Sequence, residues 1–383
     1  MTARNKVTAI VLAAGFSQRM TRFKPLLPLG DGTVVARVVK TYRDAGIADV
    51  VVVVGHCAAQ MRQAVNALAV RCVENADYGR GMFTSVQAGI RALPPDGEAF
   101  FVHPVDIPLV RTQTIGRLLR AMRGGAHTVV YPAFDGRRGH PPLIDAGLAP
   151  RILQWPGTGG LRGFLQGHDG QSFDLAVADE AVLMDMDTPQ DYERLRERLP
   201  RRELPSAAEC RQLMERIVML PAAIRTHCRM VAAVARQLAL ALTAAGTSLD
   251  VERIHAAALL HDIARLEKDH ARAGARLLAS HGFDALAPIV AAHMDLTVPA
   301  DASVDEIQVV YLADKLVDGD RVVDPTLRFA RKLEKYGDDP SAAAAIRRKR
   351  DAAVRIRTQV ERITGIPLQR LIAAVDITAE EGR

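Results

Sequence analysis

The sequence, 383 residues long, is poor in aromatic and cysteine residues. Aromatic side chains make up 4% of it, and Trp155 is its one tryptophan, so a stacking surface for single-stranded nucleic acid is not expected. The four cysteines show no C-x-x-C spacing and no disulfide framework, which indicates a reducing environment. No apolar run reaches the roughly 18 residues of a membrane-spanning helix, and the first residues lack the apolar segment of a secretory signal. We therefore expect a cytoplasmic protein without a membrane partner.

Positive charge is concentrated late in the chain. The net charge is +6, and residues 321–370 contain 13 Lys and Arg against 6 Asp and Glu. Such a segment suits a nucleic acid, a solvated helix face, or a lobe that attracts phosphorylated small molecules. We favour the last two explanations, so nucleic acid is not expected as a partner.

Two regions with different periodicity divide the chain. Apolar residues make up 49% and charged residues 25%, as in folded globular proteins. The first region alternates amphipathic stretches with β-branched runs, which is typical of a mostly parallel sheet covered by helices. Four runs are predicted to be buried strands: 7–12, 50–54, 100–102 and 129–131.

The second region has helical periodicity, for example over 230–242, and no strand signals. Two prolines bracket charged residues at 199–205, where we place the boundary. The prediction is an α/β, Rossmann-like domain over 1–200, followed by an all-α domain over 201–383.

A turn of small residues follows the first predicted strand. At Gly15 the backbone can approach a ligand closely, and its N–H groups can bind an anion. Arg19 and Lys24 follow and can neutralise a polyphosphate. The turn matches neither the P-loop nor the G-x-G-x-x-G pattern, which argues against a P-loop ATPase and a dinucleotide oxidoreductase. Taken alone, it fits an ordinary strand-to-helix turn with two surface cations equally well.

Further motifs follow this turn in a fixed order. They are Asn-x-x-Tyr-x-x-Gly-Met-x-Thr-Ser at 75–85, His-Pro-Val-Asp-Ile-Pro at 103–108, Gly-Arg-Arg-Gly-His-Pro at 136–141 and Asp-Met-Asp-Thr-Pro-Gln-Asp-Tyr at 185–192. With Leu-Ala-Ala-Gly-x-Ser-x-Arg-Met at 12–20, they make residues 5–198 resemble the molybdenum cofactor cytidylyl- and guanylyltransferases. The resemblance implies transfer of a nucleotidyl group from an NTP to a molybdopterin-type phosphorylated acceptor, with release of pyrophosphate.

The resemblance also implies roles for individual residues. Arg19, Lys24 and Asp106 are the expected catalytic residues, because two negatively charged phosphates must meet and need cations around them. Mg²⁺ is expected on Asp106 and Asp187, with Asp185 as the rival to Asp187; Asp106 alone would also fit a helix cap. His140 and Pro141 are expected at the acceptor. The residues expected at the nucleotide are Leu12, Ala13, Ala14, Gly15, Arg19, Lys24, Asn75 and Ser85.

Two residues of the first turn bear on the choice of nucleotide. Cytidylyl members tend to carry Ala-Ala-Gly and guanylyl members Ala-Gly-Gly, so Ala14 favours CTP. The family usually has glycine after the methionine of the motif, where this chain has Thr21. Threonine is strained wherever φ must be positive, so nucleotide affinity or selectivity can differ from that of the family.

Histidines are concentrated in the second region. His261 and Asp262 are adjacent in an otherwise apolar helical stretch, and burying such a pair is costly unless a metal or partner compensates. His227 lies upstream, where a helix is predicted to open, and His270, His293 and Asp314 lie downstream. Arg265 and Lys268 can steady a phosphate or be structural. We expect His255 and His281 to face solvent.

This ordered set makes residues 215–335 resemble the HD-domain metal-dependent phosphohydrolases. The resemblance implies hydrolysis of a phosphoester, with His261 and Asp262 as catalytic residues. One or two divalent transition metals are expected, and mixed imidazole and carboxylate ligands suit Mn, Fe, Co, Ni or Zn. The expected metal ligands are His227, His261, Asp262, His270, His293 and Asp314.

The leading hypothesis is therefore a bifunctional enzyme. One alternative keeps the nucleotidyltransferase but replaces the acceptor by a sugar phosphate or another small phosphate. A second alternative is a catalytically degenerate module that senses nucleotides or carries a cofactor for a partner molybdoenzyme, and Thr21 is its main support.

Overall fold

The chain divides into two compact units, Met1–Arg202 and Glu203–Arg383. The structure, a computed structural model, describes residues 6–16, 19–20, 22–299 and 303–373. Thr21, which departs from the family motif, lies outside the described residues. Each unit is described separately below.

The first unit is built on one eight-stranded sheet. Its strands are β1 (Val7–Ala13), β4 (Asp49–Val54), β5 (Arg71–Glu74), β6 (Ala99–Pro104), β7 (Val129–Phe134), β8 (Arg137–Arg138), β9 (Leu143–Asp145) and β10 (Ser172–Ala176), and β2 (Pro28–Leu29) and β3 (Gly32–Thr33) form a separate hairpin. The order is β10-β7-β9-β6-β1-β4-β5, with β8 paired to β7. β1 is parallel to β4 and β6, whereas β9 is antiparallel to both of its neighbours. The predicted mostly parallel α/β fold is confirmed.

Helices cover this sheet. They are α1 (Val34–Asp44), α2 (Ala58–Ala67), α3 (Met82–Arg91), α4 (Thr112–Gly124), α5 (Ala149–Gln154), α6 (Gly160–Gln166) and α7 (Pro189–Arg198). All seven residues of β1 are buried, which explains why its sequence is continuously apolar rather than alternating.

The strand order creates a crevice beside β1. The chain passes from β1 through α1 to β4 on one side and later enters β6 on the other side of β1. In open parallel sheets, ligands bind at the carboxyl ends of the strands where the order reverses. The ends of β1 and β6 therefore mark the expected site.

The second unit is helical, as predicted. Its helices are α8 (Ala207–Gln212), α9 (Ala222–Ala244), α10 (Val251–Leu260), α11 (His270–Ser280), α12 (Ala287–Ala292), α13 (Glu306–Lys315), α14 (Pro325–Tyr336), α15 (Pro340–Thr364) and α16 (Leu368–Ile372). A short hairpin of β11 (Val317–Asp318) and β12 (Arg321–Val322) was not expected. Within the described residues, no helix has both the length and the apolar character that a bilayer crossing requires.

A close helix–sheet contact depends on Gly89 of α3. A Cβ atom there would lie 2.4 Å from Ile10 Cγ2 and 3.2 Å from Val53 Cγ2, whereas a Cβ at Gly116 of α4 would meet only Arg120 at 3.6 Å. We predict that Gly89→Ala destabilises the first unit by about 1–3 kcal/mol through overpacking. Gly116→Ala, the matched control, should stabilise it by up to about 1 kcal/mol. Calorimetric melting measures both shifts, and equal shifts would contradict the described packing.

A buried histidine holds the end of β6. His103 Nδ1 lies 2.8 Å from the Tyr42 hydroxyl, and His103 Nε2 lies 2.9 Å from the Ile107 carbonyl oxygen. Since the carbonyl can only accept, Nε2–H donates to it, and when the ring is neutral Nδ1 accepts from the tyrosine hydroxyl. Burial lowers the pKa of His103 to about 4.

The pKa of His103 predicts a pH dependence of stability. The unfolded chain binds a proton at this ring below its ordinary value of 6.5, but the folded chain does so only below about 4. Stability is therefore lost as the pH falls through that window, by roughly 1.4 kcal/mol per pH unit, and the contribution levels off below it. Denaturant melts from pH 7 to pH 4 should show this slope. The variant His103→Gln, which cannot titrate, should have a shallower slope, and an unchanged slope would refute the assignment.

Candidate active sites

The first turn and Asp106 lie on the two sides of the crevice. Gly15 follows β1 and is exposed, and a Cβ atom built on it would meet nothing within 4 Å. The space above its backbone is thus open to a ligand. Leu12, Ala13 and Ala14, at and directly after the end of β1, are buried. Asp106 follows β6.

Backbone contacts bring the second carboxylate to the first. The Met186 N–H donates to the Asp106 carbonyl oxygen at 2.9 Å, so the segment 185–187 lies against the end of β6. Immediately afterwards α7 begins with a capping box in which Thr188 and Asp191 bond each other, and Asp191 also accepts from the Asp187 N–H at 3.2 Å. These bonds fix the backbone position from which the Asp187 side chain projects.

Lys24 joins the two carboxylates. Its Nζ lies 2.8 Å from Asp187 Oδ1 and 3.6 Å from Asp106 Oδ2, and Arg19 Nη2 lies 2.6 Å from Asp187 Oδ2. Lys24 is buried, whereas the Arg19 side chain is 70% exposed. Burial raises the pKa of Asp106, Lys24 opposes this, and the charges of Asp187 and Asp185 add to it. Two converging carboxylates in an open crevice match the usual protein ligands of Mg²⁺.

Asp185 occupies a different position from Asp187. It is exposed, and among the described residues no cation lies within salt-bridge distance of it, whereas Asp187 contacts both Lys24 and Arg19. The geometry therefore favours Asp187 over Asp185 as the second carboxylate of the site.

The second loop is held together by its own side chains. Asn75 is buried and donates from Nδ2 to Thr84 at 2.8 Å and to Ser85 at 2.9 Å, and its Oδ1 accepts from the Asp77 N–H at 3.0 Å. Asn75 and Ser85 are thus brought together. The hydrogen bonds that they form are to residues of their own loop, so they hold the loop in shape.

The expected acceptor residues lie on a separate loop. His140 is exposed, its N–H donates to the Val182 carbonyl oxygen at 2.8 Å, and Pro141 is buried. This bond ties the loop to the chain segment that leads to Asp185 and Asp187. The structure shows no side-chain bond from His140 to the carboxylate pair within the described residues.

An aromatic group beside the first turn was missed. Phe16, which is 44% exposed, has its ring centre 5.3 Å from that of His56 and 5.1 Å from that of Tyr78. Phe16 follows Gly15 after β1, and His56 follows Gly55 after β4. Their shared place at strand ends was the signal available in the sequence.

The second unit brings its histidines together from separate helices. His227 lies inside α9, not at its start as expected, and His261 and Asp262 directly follow α10. His270 begins α11, His293 directly follows α12, and Asp314 lies in α13. Five nitrogen-to-oxygen distances between these imidazoles and the two carboxylates lie between 3.3 and 3.8 Å. Ligands of one metal ion are separated by about 3.0–3.5 Å, given metal–ligand bonds of about 2.1 Å.

Backbone carbonyls set the orientation of three rings. His227 Nδ1 lies 3.1 Å from the Gly319 oxygen, His261 Nδ1 lies 2.7 Å from the Ala258 oxygen, and His293 Nδ1 lies 2.7 Å from the Val290 oxygen. A carbonyl only accepts, so each Nδ1 carries hydrogen, and Nε2 of a neutral ring presents a lone pair. A hydrogen bond from the ring nitrogen that does not bind the metal is the usual support for a metal-binding histidine.

The cluster leaves buried polar atoms without hydrogen bonds. Nε2 of His261, Nε2 of His293 and Oδ1 of Asp262 are buried and have no hydrogen-bond partner among the residues that the structure describes. Burial lowers the pKa of His261 to about 4, so this ring is neutral near pH 7. Lone pairs that face carboxylate oxygens repel each other unless a cation lies between them. The donor set therefore fits a divalent metal.

Asp262 faces two groups of histidines. Its Oδ1 lies 3.3 Å from His270 Nε2 and 3.4 Å from His293 Nε2, and its Oδ2 lies 3.6 Å from His261 Nε2. Two ligand groups can hold a metal ion, His227 with His261 and Asp262, and Asp262 with His270 and His293. Because Asp262 belongs to both, the site has ligands for one ion or for two.

Other expectations for this unit had different outcomes. Arg265 Nη1 lies 3.2 Å from His270 Nε2, and Arg265 Nε lies 3.7 Å from Asp262 Oδ2. Arg265 therefore lies at the cluster. His281, expected to face solvent, is only 3% exposed, and that expectation was wrong. His281 follows α11 at a point where the chain turns inward to the fully buried Phe283. His255 is half-buried.

Comparisons with known proteins agree with this division. The MobA-like NTP transferase domain profile matches residues 9–172, and the HD domain profile matches residues 224–318. The nicotine blue oxidoreductase of Paenarthrobacter nicotinovorans is 35% identical over 196 residues, which is 49% of this chain and 96% of that protein. The molybdenum cofactor cytidylyltransferase of Escherichia coli is 26% identical over 193 residues, 50% of this chain and 96% of that protein.

A third relative covers less of its own length. The bifunctional IPC transferase and DIPP synthase of Rubrobacter xylanophilus is 43% identical over 157 residues, 39% of this chain and 33% of that protein. Taken with the domain profiles and the geometry, these similarities show that the chain belongs to the MobA-like NTP transferase family in its first unit and carries an HD domain in its second.

Proposed function

We propose that the first unit transfers a nucleotidyl group, with CTP as the favoured donor, to a molybdopterin-type phosphorylated acceptor. The observation that carries this proposal is the position of Lys24 between Asp106 and Asp187 in the crevice at the strand ends. The name of the Paenarthrobacter relative describes an oxidoreductase, but a cation–carboxylate cluster at an open glycine turn is suited to phosphate chemistry.

Each residue of this cluster has a defined task. Asp106 and Asp187 hold Mg²⁺, which when bound supplies positive charge at the phosphates. Lys24 is buried beside them, so its charge is fixed where the phosphates of both substrates must meet. Arg19 is exposed and paired with Asp187, and its planar guanidinium group can bind phosphate oxygens in a bidentate manner.

Support for the donor and acceptor comes from different sources. Ala14 and the Escherichia coli relative, which is named for cytidylyl transfer, favour CTP and a molybdopterin acceptor. The Rubrobacter relative is more identical, but only a third of its length is matched, and its name describes a different transferase, which keeps open the alternative of another small phosphorylated acceptor. The exposed loop with His140 is the proposed acceptor contact.

We predict that Asp106→Asn and Asp187→Asn each lower the transfer rate by at least about 100-fold, because each removes a ligand for the charge-neutralising ion. Asp185→Asn, the matched control on the same segment, should change it less than about tenfold. The assay incubates the chain with Mg²⁺, molybdopterin and each NTP in turn and separates the products. No product with any NTP would end the molybdopterin proposal, and full activity of Asp106→Asn would end the assigned role.

We propose that the second unit hydrolyses a phosphoester by means of bound divalent metals. The observation that carries this proposal is the buried set of unpartnered Nε2 and Oδ1 atoms at His261, His293 and Asp262. Divalent ions bound there supply Lewis acidity toward a phosphate and toward water. The chain itself orients the imidazoles through backbone carbonyls and places the Arg265 cation beside the cluster.

We predict that the purified chain contains one to two equivalents of Mn, Fe, Co, Ni or Zn. His261→Ala and Asp262→Ala should lose metal and phosphoester hydrolysis but keep nucleotidyl transfer, because their ligands belong to the second unit alone. His255→Ala, on the neighbouring helix and outside both ligand groups, should keep its metal. Elemental analysis by mass spectrometry measures the content, and equal metal in His261→Ala and the unaltered chain would contradict the site.

The module alternative has a distinct signature. If Asp106→Asn and His261→Ala leave all turnover unchanged, a nucleotide-sensing or cofactor-carrying role for a partner molybdoenzyme becomes the better account. The presence of each required charged residue in both clusters supports catalysis instead.

All four cysteines are free thiols, which supports a reducing, cytoplasmic setting.

A further inference from the structure

The metal-ligand cluster of the second unit borders a cavity of about 350 Å³. His227, Asp262, His293 and Asp314 contribute to its lining. Helices α14 and α15 contribute a further set of residues that the HD profile, which ends at residue 318, does not include. These are Arg328, Phe329, Lys332, Ile346 and Lys349.

Three cations of this set, which we call the basic wall (Arg328, Lys332 and Lys349), form no salt bridge with a carboxylate among the described residues. Arg328 donates from Nη1 to the carbonyl oxygens of Asp314 at 2.5 Å and Val317 at 2.7 Å, which fixes the side chain but leaves its full charge. Among the described residues, no carboxylate oxygen lies within 4 Å of the amine of Lys332 or of Lys349. By contrast, Lys315 is paired with Asp314 and the His293 carbonyl.

The members of the basic wall act on one another. Desolvation lowers the pKa of the Lys332 amine, the charges of Arg328, Lys315 and Lys349 lower it further, and the Asp314 carboxylate opposes them. Burial likewise lowers the pKa of Lys349, Lys315 adds to the effect, and the carboxylates of Asp295 and Asp314 oppose it. Like charges held beside a cavity repel each other, and an anion between them would relieve that repulsion.

The position of Lys349 is set by packing. The Tyr311 hydroxyl donates to the Lys349 carbonyl oxygen at 3.2 Å, which ties α15 to the helix that carries Asp314. Lys349 is half-buried, whereas Lys332 is exposed. The buried Phe329 and the half-buried Ile346 lie in the same lining and offer apolar contacts.

On the basis of the proposed hydrolase function, we infer that the substrate of this cavity carries two phosphate groups. One phosphate lies at the metal-ligand cluster, and the second is bound by Arg328, Lys332 and Lys349. The volume suits a small organic bisphosphate or a nucleoside diphosphate, with its organic part against Phe329 and Ile346.

The test compares ligands that differ by one phosphate. Fructose 1,6-bisphosphate is titrated against fructose 6-phosphate, and pyrophosphate against inorganic phosphate, into the full metal-loaded chain by calorimetry. At least one diphosphorylated ligand should bind about tenfold more tightly than its partner, as charge-assisted hydrogen bonds to a second phosphate would provide. The double variant Lys332→Gln/Lys349→Gln should abolish this preference and keep its metal. The control Lys335→Gln, on α14 but outside the cavity lining, should retain the preference.

The outcomes separate the two proposals. Loss of the preference in the double variant alone supports the second phosphate site, and no preference in the unaltered chain, or one that survives the double variant, overturns it. Phosphate release is measured in parallel. If the lysine-dependent preference is present but no phosphate is released from any phosphoester tried, the hydrolase proposal fails while the two-phosphate site stands.

Discussion

In both units the chain holds electron-rich atoms so close together that they would repel each other without a positive charge between them. In the first unit, the ammonium group of Lys24 lies between the carboxylates of Asp187 and Asp106. In the second unit, buried atoms of His261, His293 and Asp262 lie close together and have no hydrogen bonds within the described part of the chain. Such crowding has a large desolvation cost, so the surrounding fold must fix these groups firmly. The rest of each unit can be understood as the means of doing so.

The two folds meet this requirement by different backbone devices. Parallel strands bring Gly15 and Asp106 to one edge, and the bond from the Met186 N–H to the Asp106 carbonyl adds the second carboxylate segment. In the helical unit, His261 and His293 each directly follow a helix and bond the carbonyl three residues earlier. Because a carbonyl only accepts, that bond fixes the tautomer of the ring. The orientation of these imidazoles is thus a property of how the helices end.

The sequence predicts the fold classes and the chemistry-bearing residues better than it predicts their surroundings. Continuous apolar runs indicate buried parallel strands, and motif order links Asp106 to Asp187 over 80 intervening positions. Periodicity does not reveal that Asp185 is exposed while Asp187 meets Lys24, because that depends on the backbone bonds of Met186. It also does not reveal that His281 is buried, because helical periodicity cannot assign a residue that follows the helix to its buried or its exposed face. Phe16 and His56 share a place just after a strand, which the sequence could have indicated, but no local pattern shows that Tyr78 from a third segment meets them.

The positive charge of residues 321–370 has two explanations that the structure separates residue by residue. Arg331 and Arg347 are exposed and outside the cavity lining, as solvated helix positions would be, whereas Lys332 and Lys349 line the cavity beside the metal ligands. A long polyanion needs cations spread along a continuous exposed surface. Here Arg328, Lys332 and Lys349 converge instead, from two different helices, on a cavity of about 350 Å³. Convergence of charge on a small open cavity favours a compact anion, and its position next to the metal-ligand cluster makes a second phosphate the group that we propose binds there.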